Sequence, residues 1–216
     1  MSTWAVVVAA GHGRRFGAAK QFSALGGRPM VQWAIDAARS VADGVVLVLP
    51  SGGAGAREEP PGAVHGADVV VAGGATRAQS VRAGLAAVPG SAAVIVVHDG
   101  ARPLASPALF GAVVAAVRAG ADGAVPAVAV ADTLKAVEGG VVTGTVPRDQ
   151  LMAVQTPQAF RAEVLRRAHD GGGEATDDAG LVESLGATVR VVPGDPRNIK
   201  VTTAADLEIA QALAGS

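Results

Sequence analysis

Apolar residues along this chain fall into short unbroken runs, separated by longer stretches in which they recur every three or four positions. The runs at 5–8, 45–49, 68–71, 94–97, 125–130 and 188–192 are rich in valine and bounded by Gly, Pro or Asp. They do not alternate apolar with polar residues, which predicts strands buried on both faces. Helical spacing marks 30–41, 76–88, 107–119, 161–168, 177–185 and 204–212. Strand and helix take turns, so the pattern predicts a three-layer α/β fold around a mainly parallel sheet.

One segment departs from that rhythm. Residues 132–146 form two short alternating runs around Glu138-Gly139-Gly140. Two glycines can take the positive φ of a tight turn, so the segment predicts a β-hairpin inserted into the α/β pattern. Its free edges want covering, and a second subunit is one cover. No other linker or repeat divides the chain, which reads as one domain over 1–216 with a dimerisation arm at about 132–152. The Gly- and Pro-rich stretch 51–62 reads as a loop.

Composition removes several function classes. The 216 residues carry 18 Lys+Arg against 19 Asp+Glu, for a net charge of −1, with 3% aromatics and no Tyr. A nonspecific nucleic-acid binder would show a basic excess and stacking surfaces. Without Cys there is no disulfide, thiolate nucleophile or Cys-held metal. Mean hydropathy is +0.36, yet the apolar content is mostly Ala and Val in broken runs. None approaches the ~18–20 residues of a spanning helix, and no basic stretch precedes the first apolar run. These features predict a cytoplasmic protein without membrane contact. Only Lys20, Lys135 and Lys200 are lysines.

In open α/β sheets ligands bind beyond the carboxyl ends of the strands, so the loops there are where chemistry is sought. After the first strand comes Ala9-Ala10-Gly11-His12-Gly13-Arg14-Arg15-Phe16, with Lys20-Gln21 close behind. Gly11 and Gly13 permit close backbone approach, and three cations add an anion field, which together describe a phosphate cradle. It is not a Walker A loop, since no Gly-Lys dipeptide occurs anywhere. A dinucleotide fingerprint would want Gly where Phe16 stands and an acid where the second strand ends Leu49-Pro50-Ser51. Arg14, Arg15 and Lys20 suit a triphosphate better.

Further loops follow. In Gly73-Gly74-Ala75-Thr76-Arg77-Ala78-Gln79-Ser80, Thr76 suits a helix N-cap and Ser80 lies one turn further in. In His98-Asp99-Gly100-Ala101-Arg102, Asp99 and Arg102 follow the most apolar strand; they either pair with each other or face a cleft. His98 reads as a packed strand-end residue, and His12, His65 and His169 as exposed. Arg148, Gln155 to Gln158, Thr176 and Asn198 to Thr202 supply the later loops. Thr176 suits an N-cap as well as a ligand, and Thr202 or Thr203 caps the last helix. From the residues alone, the reading is an enzyme that binds a nucleoside triphosphate and a second anion.

Taken in order, these motifs resemble the 2-C-methyl-D-erythritol 4-phosphate cytidylyltransferases over nearly the whole length. They are Ala9-Ala10-Gly11-x-Gly13-x-Arg15 with Lys20-Gln21, Gly73-Gly74-x-x-Arg77-x-x-Ser80, His98-Asp99-x-Ala101-Arg102-Pro103, Asp132-Thr133-x-Lys135, Thr156-Pro157-Gln158, Thr176-Asp177 and Asn198 to Thr202. The resemblance implies a Rossmann-like nucleotidyltransferase fold, CTP and 2-C-methyl-D-erythritol 4-phosphate as substrates, Mg²⁺, pyrophosphate release and a homodimer whose hairpin arm reaches the partner's site. By position it implies that Ala9, Ala10, Gly11 and Gly13 follow triphosphate and ribose, and that Gly74 and Ser80 line the base pocket. Arg15 and Lys20 match residues that stabilise the transition state. Asp99, Arg102, Thr133, Arg148, Thr176 and Lys200 match those around the second substrate, Arg148 and Lys200 holding its phosphate; Asp99 is the candidate Mg²⁺ ligand. Two positions depart from the family pattern, Val8 where Pro is frequent and Ala75 where an acid is common. The rival readings are a cytidylyltransferase for another polyol phosphate, such as ribitol 5-phosphate, and a noncatalytic nucleotide-binding regulator.

Overall fold

The computed structural model describes residues 1–11, 20–51 and 64–215, with Lys20 described by its backbone alone. His12, Gly13, Arg14, Arg15 and most of the 51–62 loop therefore lie outside the described residues. The strands are β1 (Thr3–Val8), β2 (Ala24–Leu25), β3 (Arg28–Pro29), β4 (Gly44–Leu49), β5 (Val69–Ala72), β6 (Val94–Asp99), β7 (Gly123–Ala129), β8 (Leu134–Glu138), β9 (Val141–Val146), β10 (Met152–Val154), β11 (Gln158–Arg161) and β12 (Val189–Pro193). The helices are α1 (Met30–Arg39), α2 (Arg77–Ala87), α3 (Pro107–Arg118), α4 (Ala162–Asp170), α5 (Asp178–Glu183) and α6 (Ala204–Ala214), with a 3₁₀ turn at Lys20–Phe22.

The main sheet runs β5-β4-β1-β6-β11-β7, with β12 and β10 also on β7. Strands β5, β4, β1 and β6 are mutually parallel, and β12 is parallel to β7. Both β10 and β11 run antiparallel to their neighbours. Because β11 opposes β6 and β7 alike, those two point the same way, and six strands share one direction. The expected fold class holds. The reversed strands differ from the loop and helix start that the pattern predicts over 152–161, because three- and four-residue strands carry too little pattern.

Valine-rich β4 and β6 are buried at every position, as unbroken apolar runs predict. Ala5 and Val7 of β1 join Val45, Leu47 and Val96 against α1 and α3. On the other face Val6, Val46, Val48, Ile95 and Val97 meet α2, α4 and α5. Phe110 anchors the first layer and Phe160 the second, both fully buried. Each such ring contributes about 1.5–3 kcal/mol by leaving water. β5 and β12 correct the expectation of burial on both faces: β5 alternates partly buried with exposed positions and β12 is mostly exposed, because each borders the sheet.

The caps are local chemistry. Thr76 accepts from the Gln79 amide, as expected, and Ser106 caps α3 in front of Pro107. The cap of α5 is Asp177 rather than Thr176, and Thr203 rather than Thr202 forms a capping box with Asp206. The hairpin is present: β8 and β9 pair as a separate two-stranded sheet. Gly139 (φ +55°) and Gly140 (φ +81°) make its turn, a conformation side-chain-bearing residues rarely adopt. Among the described residues no helix is long and apolar enough to cross a membrane.

Candidate active site

Since β1, β4, β5 and β6 are parallel, the segments that follow them emerge along one edge of the sheet. There they enclose a cleft of about 420 Å³. Its walls are Val8 to Gly11 at the end of β1, Gly74 to Arg77 and Ser80 at the start of α2, Asp99 and Ala101 at the end of β6, and Gln21. Lys200 joins them from the segment before α6, which is fastened by the Val201 amide donating to the Ala101 carbonyl at 2.8 Å.

The first two walls are extensions of the sheet. The Ala9 amide donates to the Val48 carbonyl at 2.8 Å and that of Gly73 to Leu49 at 2.7 Å. A Cβ on Gly73 would stand 2.5 Å from Ala10 Cβ and 2.7 Å from Ser80 Oγ, so only glycine lets these walls meet. The Ser80 hydroxyl donates to the Thr76 carbonyl at 2.9 Å and accepts from the Gly74 amide at 3.1 Å. With its proton committed, Ser80 has acceptor capacity left for a ligand, which favours a partner carrying an N–H.

The third wall holds the charge. Asp99 Oδ1 accepts from Arg77 Nε at 3.2 Å and Oδ2 from Lys200 Nζ at 2.7 Å. Burial on its own would raise the Asp99 pKa; the adjoining Arg77 and Lys200 cations, with the Lys200 hydrogen bond, outweigh it and hold the carboxyl well below the usual range. Asp99 is thus a permanent anion, suited to accepting hydrogen bonds or meeting a metal and unsuited to donating a proton. Arg77 Nη2 lies 2.8 Å from Asp178 Oδ2, and Asp178 Oδ1 is 3.0 Å from His169 Nε2. Burial pulls the Arg77 pKa down, but Asp178 and Asp99 raise it further, so the guanidinium stays charged. Alternating charges therefore run inward from an exposed Lys200 through Asp99 and a partly buried Arg77 to the buried Asp178.

Behind this wall the His98 ring packs on Phe110, with Nδ1 3.1 Å from Thr156 Oγ1 and Nε2 3.1 Å from the Arg102 carbonyl oxygen. Thr156 Oγ1 in turn accepts the Asp99 amide at 3.0 Å. Burial pushes the His98 pKa down to about 4, so the ring is neutral near pH 7 and structural, as its strand-end position suggested. The Arg102 side chain does not pair with the Asp99 carboxylate, although its backbone amide donates to the Asp99 carbonyl at 2.9 Å; its guanidinium donates to the Asn198 carbonyl at 2.8 Å. Asn198 Nδ2 donates to the Thr156 carbonyl at 2.9 Å and Gln155 Nε2 to that of Asp195 at 2.8 Å, knitting 195–198 to 155–156.

The structure brings together Ala9, Ala10, Gly11, Gly74, Ser80, Asp99 and Lys200. Arg102 stands behind the lining, while Thr133, Arg148 and Thr176 are exposed away from it. The Arg148 guanidinium donates to the Ala131 carbonyl, at the base of the hairpin. Lys135 donates to Thr145 across the hairpin at 2.6 Å. His169 corrects an expectation of exposure: it is 3% exposed, on the inner side of α4 against Asp178. Arg77, Asp178, Gln155 and Asn198 were given no role from sequence. Only Arg77 left a signal, a cation one residue beyond a helix cap at a candidate loop.

Among the described residues no group of three or more His, Cys, Asp or Glu could hold a metal. Asp99 is the acid that lines the cleft, a hard oxygen donor, and it fits an ion held mainly by a ligand's own phosphates.

The geometry agrees with what the chain is similar to. The family model described as IspD, 2-C-methyl-D-erythritol 4-phosphate cytidylyltransferase, matches residues 3–216. The enzyme of that name from Nocardia farcinica is 48% identical over 220 residues, covering 98% of this chain and 94% of the relative. Its counterpart from Rhodococcus opacus is 48% identical over 215 residues, covering 97% and 93%. The crystal structure of the Thermus thermophilus enzyme superposes with a TM-score of 0.84 at 40% identity, covering 100% of both chains.

Proposed function

Because the chain belongs to the 2-C-methyl-D-erythritol 4-phosphate cytidylyltransferase family, we propose that the cleft between β1, α2 and β6 is where its reaction takes place. The enzyme transfers CMP from CTP to 2-C-methyl-D-erythritol 4-phosphate in isoprenoid precursor synthesis, giving 4-diphosphocytidyl-2-C-methyl-D-erythritol and pyrophosphate. One observation carries the assignment of the site: the buried Asp99, held by Lys200, faces the same cleft as the Ala9 to Gly11 backbone.

In this reading Ala9, Ala10, Gly11 and Gly13 follow the triphosphate and ribose, and Gly74 and Ser80 receive the base. The spare acceptor on Ser80 suits the exocyclic amine of cytosine and disfavours the carbonyl oxygen that uracil presents there. Asp99, Arg102, Thr176 and Lys200 surround the methylerythritol phosphate, Asp99 accepting from its hydroxyls. Thr133 and Arg148 come from the arm of a second subunit. Supporting that, Val137, Val141 and Val142 of the hairpin are 58%, 67% and 57% exposed, and an isolated two-stranded sheet is marginal without a cover.

The attacking phosphate oxygen is already ionised near pH 7, so in-line displacement at the α-phosphorus needs no general base. This agrees with His98 being neutral and bonded on both nitrogens, and with Asp99 being held by two cations. The obstacle is repulsion between a dianion and a triphosphate of about −4. Lys200 and Arg148 bring the attacking phosphate up, while Arg15 and Lys20 offset charge gathering on the leaving pyrophosphate. Asp99 would be the protein group to meet a Mg²⁺ ion brought with the triphosphate, and such an ion would supply further neutralisation. A cytoplasmic location follows from a nucleoside triphosphate substrate.

The test is pyrophosphate release with CTP or UTP and a panel containing methylerythritol phosphate and ribitol 5-phosphate. CTP with methylerythritol phosphate is the expected pair. Lys200→Ala is expected to lower turnover on the order of 10²-fold or more, the scale of one lost preorganised charge contact. Near-wild-type turnover by that variant would remove the cleft from the reaction.

A further inference from the structure

Gln21 sits in the 3₁₀ turn Lys20–Phe22, which packs against α1, with Phe22 set against the core beneath. Its side chain is 4% exposed and lines the cleft beside Ala10, Gly11, Asp99 and Lys200. Its Nε2 is fully buried and has no hydrogen-bond partner among the described residues. A buried amide donor without a partner is disfavoured in a folded protein and calls for an explanation. The Asp99 carboxylate that lines the same cleft accepts from Arg77 and Lys200, and no hydrogen bond joins it to Gln21.

We propose that Gln21 is a further substrate-binding residue, whose amide donates to an anionic phosphate oxygen or a sugar hydroxyl oxygen of a bound substrate. An amide brings two neutral donors, which bind an oxygen without adding charge to the site. At 4% exposure the side chain is held by packing before the ligand arrives. The inference rests on the cleft being the transfer site, and its ligand is either substrate of that reaction.

The discriminating variant is Gln21→Met, which keeps the volume and removes the donor. Where a buried donor has no partner in the free protein, an apolar replacement of similar shape leaves stability unchanged or raised. The apo thermal midpoint is therefore expected to hold or rise, while KM rises about 10-fold for one substrate, the scale of a lost hydrogen bond to a charged oxygen. A rise in the KM for CTP alone assigns the donor to the nucleotide, and a rise for methylerythritol phosphate alone assigns it to the acceptor. Gln21→Glu, which sets a carboxylate against the same oxygen, is expected to lose more than Gln21→Met. A lowered apo midpoint with both KM values unchanged would make Gln21 structural and overturn the proposal. So would wild-type kinetics in Gln21→Met while Lys200→Ala is impaired. Were Lys200→Ala also unimpaired, the cleft assignment itself would fall and this inference with it.

Discussion

Acidification tests the wall behind the cleft through His98. Its Nε2 faces the Arg102 carbonyl oxygen and so carries the ring proton, leaving Nδ1 to accept from the Thr156 hydroxyl, which itself accepts the Asp99 amide. A second proton on Nδ1 takes away the acceptor of the Thr156 hydroxyl and puts a charge where burial forbids one. The folded pKa is about 4 against an ordinary 6.5. Between those values the unfolded chain binds the proton that the folded chain refuses, so stability rises with pH. The contribution is fully present above pH 6.5 and is lost as pH falls towards 4. At about 1.4 kcal/mol per pH unit the gap is worth roughly 3 kcal/mol, of which about 2 kcal/mol goes between pH 7 and 5. Urea unfolding of the wild type and His98→Gln, at pH 7, 6 and 5 and fixed protein concentration, isolates the term because other groups titrate in both. The variant is expected to start less stable and to fall less steeply, the two curves converging by about 2 kcal/mol. Parallel curves would mean that the folded ring takes up its proton as readily as the unfolded chain does, and the hydrogen-bond assignment would be wrong.

Arg77→Ala leaves Asp99 and Asp178 without their shared cation and is expected to cost about 3 kcal/mol in urea unfolding, the lower end for breaking a buried pair because Arg77 keeps partial solvent access. Arg77→Lys, which keeps the charge but not the fork, is expected to recover only part of that. Gly73→Ala forces Ala10 and Ser80 apart and is expected to cost about 1–3 kcal/mol and to raise the KM for CTP ahead of that for methylerythritol phosphate. Mixing Arg148→Ala with Lys200→Ala subunits is expected to restore activity at about a quarter of the sites, since one site of each mixed dimer carries both residues intact. No recovery after verified subunit exchange would place the arm at its own subunit's cleft.

The alternation of strand and helix was legible because valine runs and helical spacing act locally, and the first two candidate loops were legible because glycine and charge cluster in them. What could not be read was assembled across distance. Met152–Val154 and Gln158–Arg161 become strands by lying along β7 and β6, partners their own few residues do not announce. Asp99 and Arg102, three residues apart, suit either a mutual pair or a cleft, and only the fold shows that their side chains take separate partners, Arg77 and Lys200 for one and the Asn198 carbonyl for the other. His169 looked like a surface residue near the end of its helix, and only the fold sets Asp178 against it. Gln21 carries no role in the sequence, since a lone amide gains meaning only once it is buried without a partner.

The segment from Asp195 to Val201 has a consequence for how the protein comes into being. It bonds to the 99–102 region and to 155–156, and its Lys200 reaches an aspartate 101 residues earlier. A ribosome making this chain delivers β1, β4, β5 and β6 long before that lysine emerges, so the nascent protein can fold most of its sheet with Asp99 lacking one of its two cations. Competence for catalysis then arrives late, when a short stretch near the C-terminal end docks. Truncated or stalled products are sheets without a finished site.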